Sequence, residues 1–187
     1  MCWKNTKDRW GIISQSFHWI IALLIIGLAI VGDWMSDLPP DETKWFIYGW
    51  HKQLGALLLS LAVLRILWRM MNVTPVLPNF MPDWQKLVSK LNVFILYIIM
   101  FGFPITGLTM SLLGGHDVSL FGFYTLKAFP KTPELEGIAK TAWEVHGMLL
   151  WALIGFGSLH ILAAVYHHFI LKDNVLKRML PMSFSKS

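Results

Sequence analysis

The sequence predicts an all-α integral membrane protein, a bundle of four transmembrane helices that forms a single domain over residues 1–187. Hydrophobic residues make up 55% of the chain and charged residues only 14%, a composition outside the usual range of soluble globular domains. The apolar residues gather in four blocks, each long enough to cross a hydrocarbon layer. These blocks are residues 12–35, 45–68, 87–113 and 143–171.

The first block predicts a retained transmembrane helix rather than a cleaved signal peptide. It is longer than the apolar region of a usual signal peptide, and it continues into Asp33 and Trp34 without a small-residue cleavage pattern. The connection after the second block and the stretch 114–142 are punctuated by Pro or Gly, which predicts irregular loops. The single cysteine, Cys2, excludes an intrachain disulfide.

The distribution of positive charge predicts that both termini are cytoplasmic. Cytoplasmic flanks of membrane helices carry an excess of Lys and Arg, whereas the first loop, DWMSDLPPDETK, has four acidic residues and one Lys. The net charge of +5 therefore indicates topology and attraction to anionic membrane lipid, and no basic stripe suggests nucleic-acid binding. The basic residues that define the inner side are Lys4, Lys7, Arg9, Arg65, Arg69, Lys86, Lys90, Lys172, Lys177, Arg178 and Lys186.

Four of the histidines within the apolar blocks lie at two matched depths. In this topology His18 and His160 lie towards the cytoplasm, and His51 and His146 towards the outer surface. His146 and His160 are fourteen residues apart, which places them within about 40° of one face of a helix. Ionisable residues inside a membrane usually face a bundle interior and a partner. We therefore expect His18 to meet His160, and His51 to meet His146.

Paired histidines favour a flat iron cofactor over a lone metal ion. A single such histidine would more simply be a neutral imidazole hydrogen-bonded to a neighbouring helix. Two histidines at each depth are too few for a metal ion, which needs three or four ligands, but they supply one axial nitrogen to each side of a haem. The pattern therefore predicts two haem b groups with bis-histidine ligation, and the absence of C-x-x-C-H predicts non-covalent binding.

Two further residues of the second block are candidate haem contacts. Gly55 lies one turn from His51 and leaves room for a ring, although small residues also simply let membrane helices approach each other. Arg65 follows His51 by fourteen residues and so lies on the same face, near the inner haem. Its guanidinium either pairs with a haem propionate or anchors the helix at the cytoplasmic boundary.

Several motifs resemble those of the bacterial cytochrome b561 family of di-haem membrane cytochromes. They are HW at 18–19, HKQLG at 51–55, FPITGL at 103–108, and the run VHG…LH…HHFILKDNVLKRM from 145 to 179. The resemblance covers nearly the whole chain, and it implies a multi-pass protein of the bacterial inner membrane. It also implies that the haem ligands are His18, His51, His146 and His160.

Within that family, the chain most resembles members that oxidise superoxide at the periplasmic face and reduce ubiquinone. The resemblance implies a superoxide:quinone oxidoreductase, with ubiquinone as the electron acceptor. The chain departs from this type in the loop 114–142 and in lacking histidines at the start of the third helix. Two alternatives stay open, a cytochrome b subunit serving a periplasmic redox protein or hydrogenase, and a haem-free transporter or scaffold whose histidines relay protons.

Candidate substrate residues lie at both ends of the bundle. At the outer face Lys52, Lys127, Lys131 and Lys140 are candidates for guiding an anionic donor, and Lys52 adjoins a predicted ligand; it equally suits a lipid or propionate contact. His167 follows His160 by seven residues, with His168 beside it. Both suit hydrogen bonding and proton delivery to a quinone, although interfacial histidines also contact lipid headgroups.

Overall fold

The computed structural model describes residues 2–78 and 81–180, and four helices account for most of them. The predicted set of four helices able to span a membrane is confirmed by their length and hydropathy. Lys186, part of the predicted basic C-terminal tail, lies outside the described residues. The elements in chain order are α1 (Ile12–Ser36), α2 (Glu42–Met70), α3 (Asp83–Leu113), β1 (Val118–Leu120), β2 (Tyr124–Leu126) and α4 (Pro133–Phe169).

Helix α4 begins at Pro133, whereas the hydropathy pattern placed its start at residue 143. Thr132 caps the helix, because its side-chain oxygen accepts a hydrogen bond from the Leu135 backbone N–H. Proline suits the first helical position, and Glu134 and Glu136 in the first turn complement the helix dipole. These first turns are polar, so a hydropathy criterion excludes them although the chain is helical there.

The stretch 114–142 contains a β-hairpin, which the sequence analysis treated as irregular. Strands β1 and β2 pair antiparallel, with Leu120 opposite Tyr124. The loop between them has two residues with positive φ, Phe121 and Gly122. The Phe121 backbone N–H donates to Gln53 Oε1 at 2.9 Å, which holds the hairpin against α2.

All four helices expose large apolar side chains. The exposed fractions of Leu23 on α1, Leu64 on α2, Phe94 on α3 and Leu162 on α4 are 70%, 52%, 62% and 64%. A helix with apolar side chains on its exposed surface is suited to lipid rather than water. These side chains therefore support the membrane assignment independently of helix length.

The residues divide into two compact units, and every helix contributes a segment to both. Among the described residues, the first unit comprises 2–20, 63–78, 81–98 and 153–180, and the second comprises 21–62 and 99–152. His18 and His160 belong to the first unit, and His51 and His146 to the second. The single domain inferred from the sequence stays a prediction.

Candidate functional site

In the first unit, His18 on α1 faces His160 on α4. Their ring centroids are 6.2 Å apart, and the ring planes make an angle of 64°. In the second unit, His51 on α2 faces His146 on α4 with a centroid distance of 6.4 Å and an angle of 71°. The structure thus brings together the side chains of both pairs expected from the sequence.

The spacing within each pair fits a single iron atom between two imidazoles. Metal–nitrogen bonds of about 2 Å, and roughly 1 Å from each ring nitrogen to its ring centre, place two axial imidazoles about 6 Å apart between centres. The observed distances of 6.2 and 6.4 Å match this value. In the part of the chain that the structure describes, no group of three or more His, Cys, Asp or Glu residues is arranged to hold a metal ion. Each pair therefore suits a haem, which brings its own equatorial ligands.

The surroundings of His51 leave room for an apolar ligand. A cavity of about 350 Å³ lies between α1 and α2, and apart from His51 its lining is largely apolar. His51 Nδ1 is buried without a hydrogen-bond partner, which is uncommon for a buried polar atom. On the α1 side, a Cβ added at Gly32 would lie only 3.0 Å from His51 Cε1. Glycine at this position therefore lets the imidazole approach α1 closely.

His146 is held by residues of the FPITGL stretch on α3. Thr106 Oγ1 lies 2.9 Å from His146 Nδ1, and the Phe103 ring packs edge-on against the imidazole at 5.1 Å between centroids. A Cβ at Gly107 would lie 3.4 Å from His146 Cε1. In the sequence this stretch was only one of the motifs that carry the resemblance, and its contact with an expected ligand was not predicted.

His18 has a different neighbour, the guanidinium of Arg65. Arg65 Nη2 lies 3.5 Å from His18 Nδ1, so Arg65 lies beside this pair as expected from its spacing. Arg65 Nε donates to Tyr97 Oη at 3.3 Å, and Arg69 donates to the same oxygen at 3.4 Å. Tyr97 therefore fixes both guanidinium groups, and no spacing signal in the sequence indicated it.

Gly55 has open space around it, since a Cβ added there would meet no atom within 4 Å. This is compatible with the room expected beside His51. Gly27 and Gly49 are equally open, so the observation does not single out Gly55. The glycines that stand against the paired imidazole rings are Gly32 and Gly107.

The two histidines at the end of α4 differ in their environments. His167 is only 5% exposed, and its Nδ1 lies 2.5 Å from Asp173 Oδ2. The other oxygen of Asp173 accepts from the Val175 backbone N–H, and the Asp173 N–H donates to the His167 carbonyl. Asp173, which the sequence analysis missed, therefore fixes His167 in one orientation. His168 Nδ1 is buried without a partner, and its ring packs edge-on against Phe169.

A cavity of about 440 Å³ lies beside Asp173 in the first unit. Its lining combines two cations and one carboxylate with apolar and amide side chains, a mixture that suits a polar headgroup on an apolar tail. The lining residues are Pro78, Leu171, Lys172, Asp173, Asn174 and Arg178.

Lys52 belongs to a group of charged residues next to the hairpin. Partial burial and the nearby charges of Lys52 and Lys131 lower the pKa of His116 below its usual value. Lys127 is paired with Asp117 at 2.9 Å. The charges of Lys52 and Lys131 thus act on one imidazole, and the Asp117 carboxylate, the partner of Lys127, also attracts Lys52.

Comparisons with known proteins point to one family. The family model described as prokaryotic cytochrome b561 matches residues 9–182. Two relatives are from Escherichia coli (strain K12). Cytochrome b561 homolog 2 is 33% identical over 99% of this chain and 98% of its own length. Cytochrome b561 homolog 1 is 26% identical over 93% of this chain and 98% of its own length. A Yersinia pestis protein named "Probable superoxide oxidase CybB" is 27% identical over 92% of this chain and 96% of its own.

Proposed function

Because the chain belongs to the prokaryotic cytochrome b561 family, whose members transfer electrons and bind b-type haem, we propose that it carries electrons across the bacterial inner membrane through two haems. One haem would be held by His18 and His160, and the other by His51 and His146. The observation that carries this proposal is the pair of facing imidazoles in each unit, 6.2 and 6.4 Å apart between centroids.

The protein's part in this chemistry is to hold and surround the cofactors. Bound haem supplies a centre that accepts and releases single electrons, and the protein sets its potential through ligands, hydrogen bonds and burial. Thr106 and Arg65 contact the imidazoles that would be ligands, and the largely apolar lining beside His51 would give the haem an apolar environment. Gly55 on α2 would leave room for the ring.

In the proposed topology both termini are cytoplasmic, and the His51–His146 pair lies nearer the periplasm. Superoxide is the proposed donor there: two superoxide anions each lose one electron and become dioxygen. Lys52 and Lys131, which act on His116, would provide positive charge near His51. The name of the Yersinia pestis relative, 27% identical to this chain, supports this substrate.

The proposed acceptor is ubiquinone, which takes two electrons and two protons to become ubiquinol. His167 suits proton delivery, because an imidazole can carry a proton and the Asp173 carboxylate, 2.5 Å from Nδ1, fixes the ring in one orientation. His168, adjacent in sequence, would contact the quinone headgroup. The neighbouring cavity with Lys172 and Arg178 offers space for that headgroup.

Superoxide-driven quinone reduction by the purified protein tests this function. The protein should contain about two haems per chain by pyridine haemochrome assay. On stopped-flow mixing with superoxide, both haems should become reduced, and added ubiquinone should reoxidise them. Protein that superoxide leaves oxidised would reject superoxide as the donor, and retention of reduced haem in the presence of ubiquinone would reject ubiquinone as the acceptor.

Asp173→Asn tests the quinone end separately. Asparagine keeps a hydrogen-bonding oxygen but removes the carboxylate that orients His167, so quinone reduction should fall about tenfold or more while haem content stays unchanged. Asp83→Asn is the matched control, because Asp83 is a highly exposed partner of Lys86 in the same unit. Equal rates in the two variants would contradict a proton-delivery role for His167 and Asp173.

A second candidate is an electron-transfer subunit that receives electrons from a periplasmic redox protein or hydrogenase. The hairpin favours it, since Phe123 is 93% exposed and Tyr124 63%, and exposed aromatic side chains are common at protein interfaces. Rapid reduction by superoxide that is unaffected by Phe123→Ser would favour the first function. Protein that superoxide does not reduce would favour the second.

A further inference from the structure

We propose that Thr106 is a positioning residue that sets the protonation of the His146 ring, so that Nε2 is free to bind iron. The inference rests on the proposed ligation by His146. Thr106 Oγ1 lies 2.9 Å from His146 Nδ1. Its hydroxyl also lies 2.7 Å from the Gly102 carbonyl oxygen and 3.0 Å from that of Phe103.

The single hydrogen of the hydroxyl decides the direction of these bonds. A carbonyl oxygen can only accept, whereas a hydroxyl donates once and accepts through its lone pairs. If Thr106 donated to His146, two oxygens would face its Oγ1 at 2.7 and 3.0 Å without a hydrogen between them. The favourable arrangement has Thr106 donating back to α3, as helical threonines commonly do, and accepting a hydrogen bond from His146 Nδ1–H.

A proton on Nδ1 leaves the lone pair of a neutral imidazole on Nε2. The hydrogen bond from Nδ1–H also fixes the ring orientation and makes the ligand nitrogen more basic, as second-sphere partners of ligating histidines generally do. A more basic ligand favours oxidised iron. Thr106 should therefore strengthen haem binding at the His51–His146 pair and lower the reduction potential of that haem.

The test compares Thr106→Val, Thr106→Ser and Thr109→Val in the full-length haem-loaded protein. Valine removes the hydroxyl with little change of shape, and serine retains it. Thr109 is the matched control, since it makes the same type of bond to a carbonyl four residues earlier, Ile105 O at 2.8 Å. The readouts are the rate of haem transfer to apomyoglobin and the midpoint potential of each haem. His51→Ala, which should lack this haem, assigns the signals.

In Thr106→Val, the haem at the His51–His146 pair should leave about 10–100-fold faster, and its potential should rise. Thr106→Ser and Thr109→Val should match the original protein. An unchanged rate and potential in Thr106→Val, a fall in its potential, or equal effects of valine at 106 and 109 would overturn the inference.

A measurement on the unaltered protein covers the case in which Thr106→Val does not fold. The reduced low-spin protein, labelled with ¹⁵N-histidine, should show a His146 Nδ1–H signal that is slow to exchange with solvent, and a rapidly exchanging proton would overturn the inference. Retention of both haems in His51→Ala and His146→Ala would refute the ligation itself. If His51→Ala and His146→Ala each lost one haem but Thr106→Val changed neither haem transfer nor potential, only the role of Thr106 would be refuted.

Discussion

The two compact units bury different kinds of side chain. In the second unit the buried side chains are mainly apolar, among them Leu58, Ile99 and Val118, each less than 2% exposed. In the first unit, Met81 is accompanied by four buried polar side chains: Asn5, Gln15, Asn92 and His167. Buried polar groups must be hydrogen-bonded to avoid a desolvation penalty. Asn5, Gln15 and His167 make side-chain hydrogen bonds, so polar contacts contribute to the interior of the first unit, whereas apolar packing dominates in the second.

The same contrast extends to the histidine pairs. Their centroid distances differ by only 0.2 Å, 6.4 against 6.2 Å, so both pairs suit the same cofactor. Their neighbours differ, because a neutral hydroxyl contacts His146 and a cationic guanidinium contacts His18. A cation stabilises the reduced form of a nearby haem, and a hydrogen-bond acceptor on the ligand stabilises the oxidised form. We therefore expect a higher potential at the His18–His160 pair.

Removing one ligand from either pair should have the largest effect. His160→Ala and His146→Ala should each lose one haem of the expected two, because a single remaining axial imidazole holds the ring weakly. Haem content measures the loss, and the absorption band of the reduced protein, to which both haems should contribute, should lose the component of the missing haem. His116→Ala, outside both pairs, should keep both haems, and retention of both in His160→Ala would rule out the first pair.

Gly32→Ala should disturb the His51–His146 pair alone. The new Cβ would lie 3.0 Å from His51 Cε1, closer than most Cβ contacts, so the ring must move at a cost of about 1–3 kcal/mol. We expect partial loss or a shifted spectrum of one haem. Gly49→Ala is the matched control, since a Cβ there meets nothing within 4 Å, and equal spectra in the two variants would show that His51 does not need this approach.

Arg65→Gln should change the reduction potential of the haem at the His18–His160 pair. The Arg65 guanidinium lies 3.5 Å from His18 Nδ1, so its loss should lower the stability of the reduced form; for an assumed charge separation of ~8 Å and an effective dielectric constant of ~20, the change is roughly 2 kcal/mol. A redox titration should therefore show a lower potential for that haem only. Arg69→Gln is the comparison, because Arg69 shares Tyr97 Oη with Arg65 but comes one helical turn later. A shift in the potential of the His51–His146 haem instead would contradict the placement of Arg65 beside the His18–His160 haem.

The histidine pairs could be predicted from the sequence because depth in a membrane and helical spacing are properties of single segments. The contacts that complete the sites depend on how different helices meet. Gly32 and Thr106 touch histidines 19 and 40 positions away in the chain, and nothing in their own segments marks them for that role. Asp173 is only six residues from His167, but it follows the end of α4, where helical spacing no longer applies. The hairpin was missed because its strands are only three residues long.

Lys52→Gln should have the smallest effect, and it concerns the anionic donor. If Lys52 guides superoxide to the His51–His146 pair, its loss should slow haem reduction a few-fold at ~0.01 M salt, where the Debye length is about 30 Å. The difference should shrink at ~0.1 M salt, where that length is about 10 Å. Lys44→Gln removes the same charge, but Lys44 lies two turns before His51 and is bound to the carbonyls of Ser36 and Leu38. Stopped-flow absorbance measures the rate of haem reduction in both variants. If only the net charge of the protein mattered, both variants would be slowed equally. A larger effect of Lys52→Gln would show that superoxide is guided by the charge beside His51.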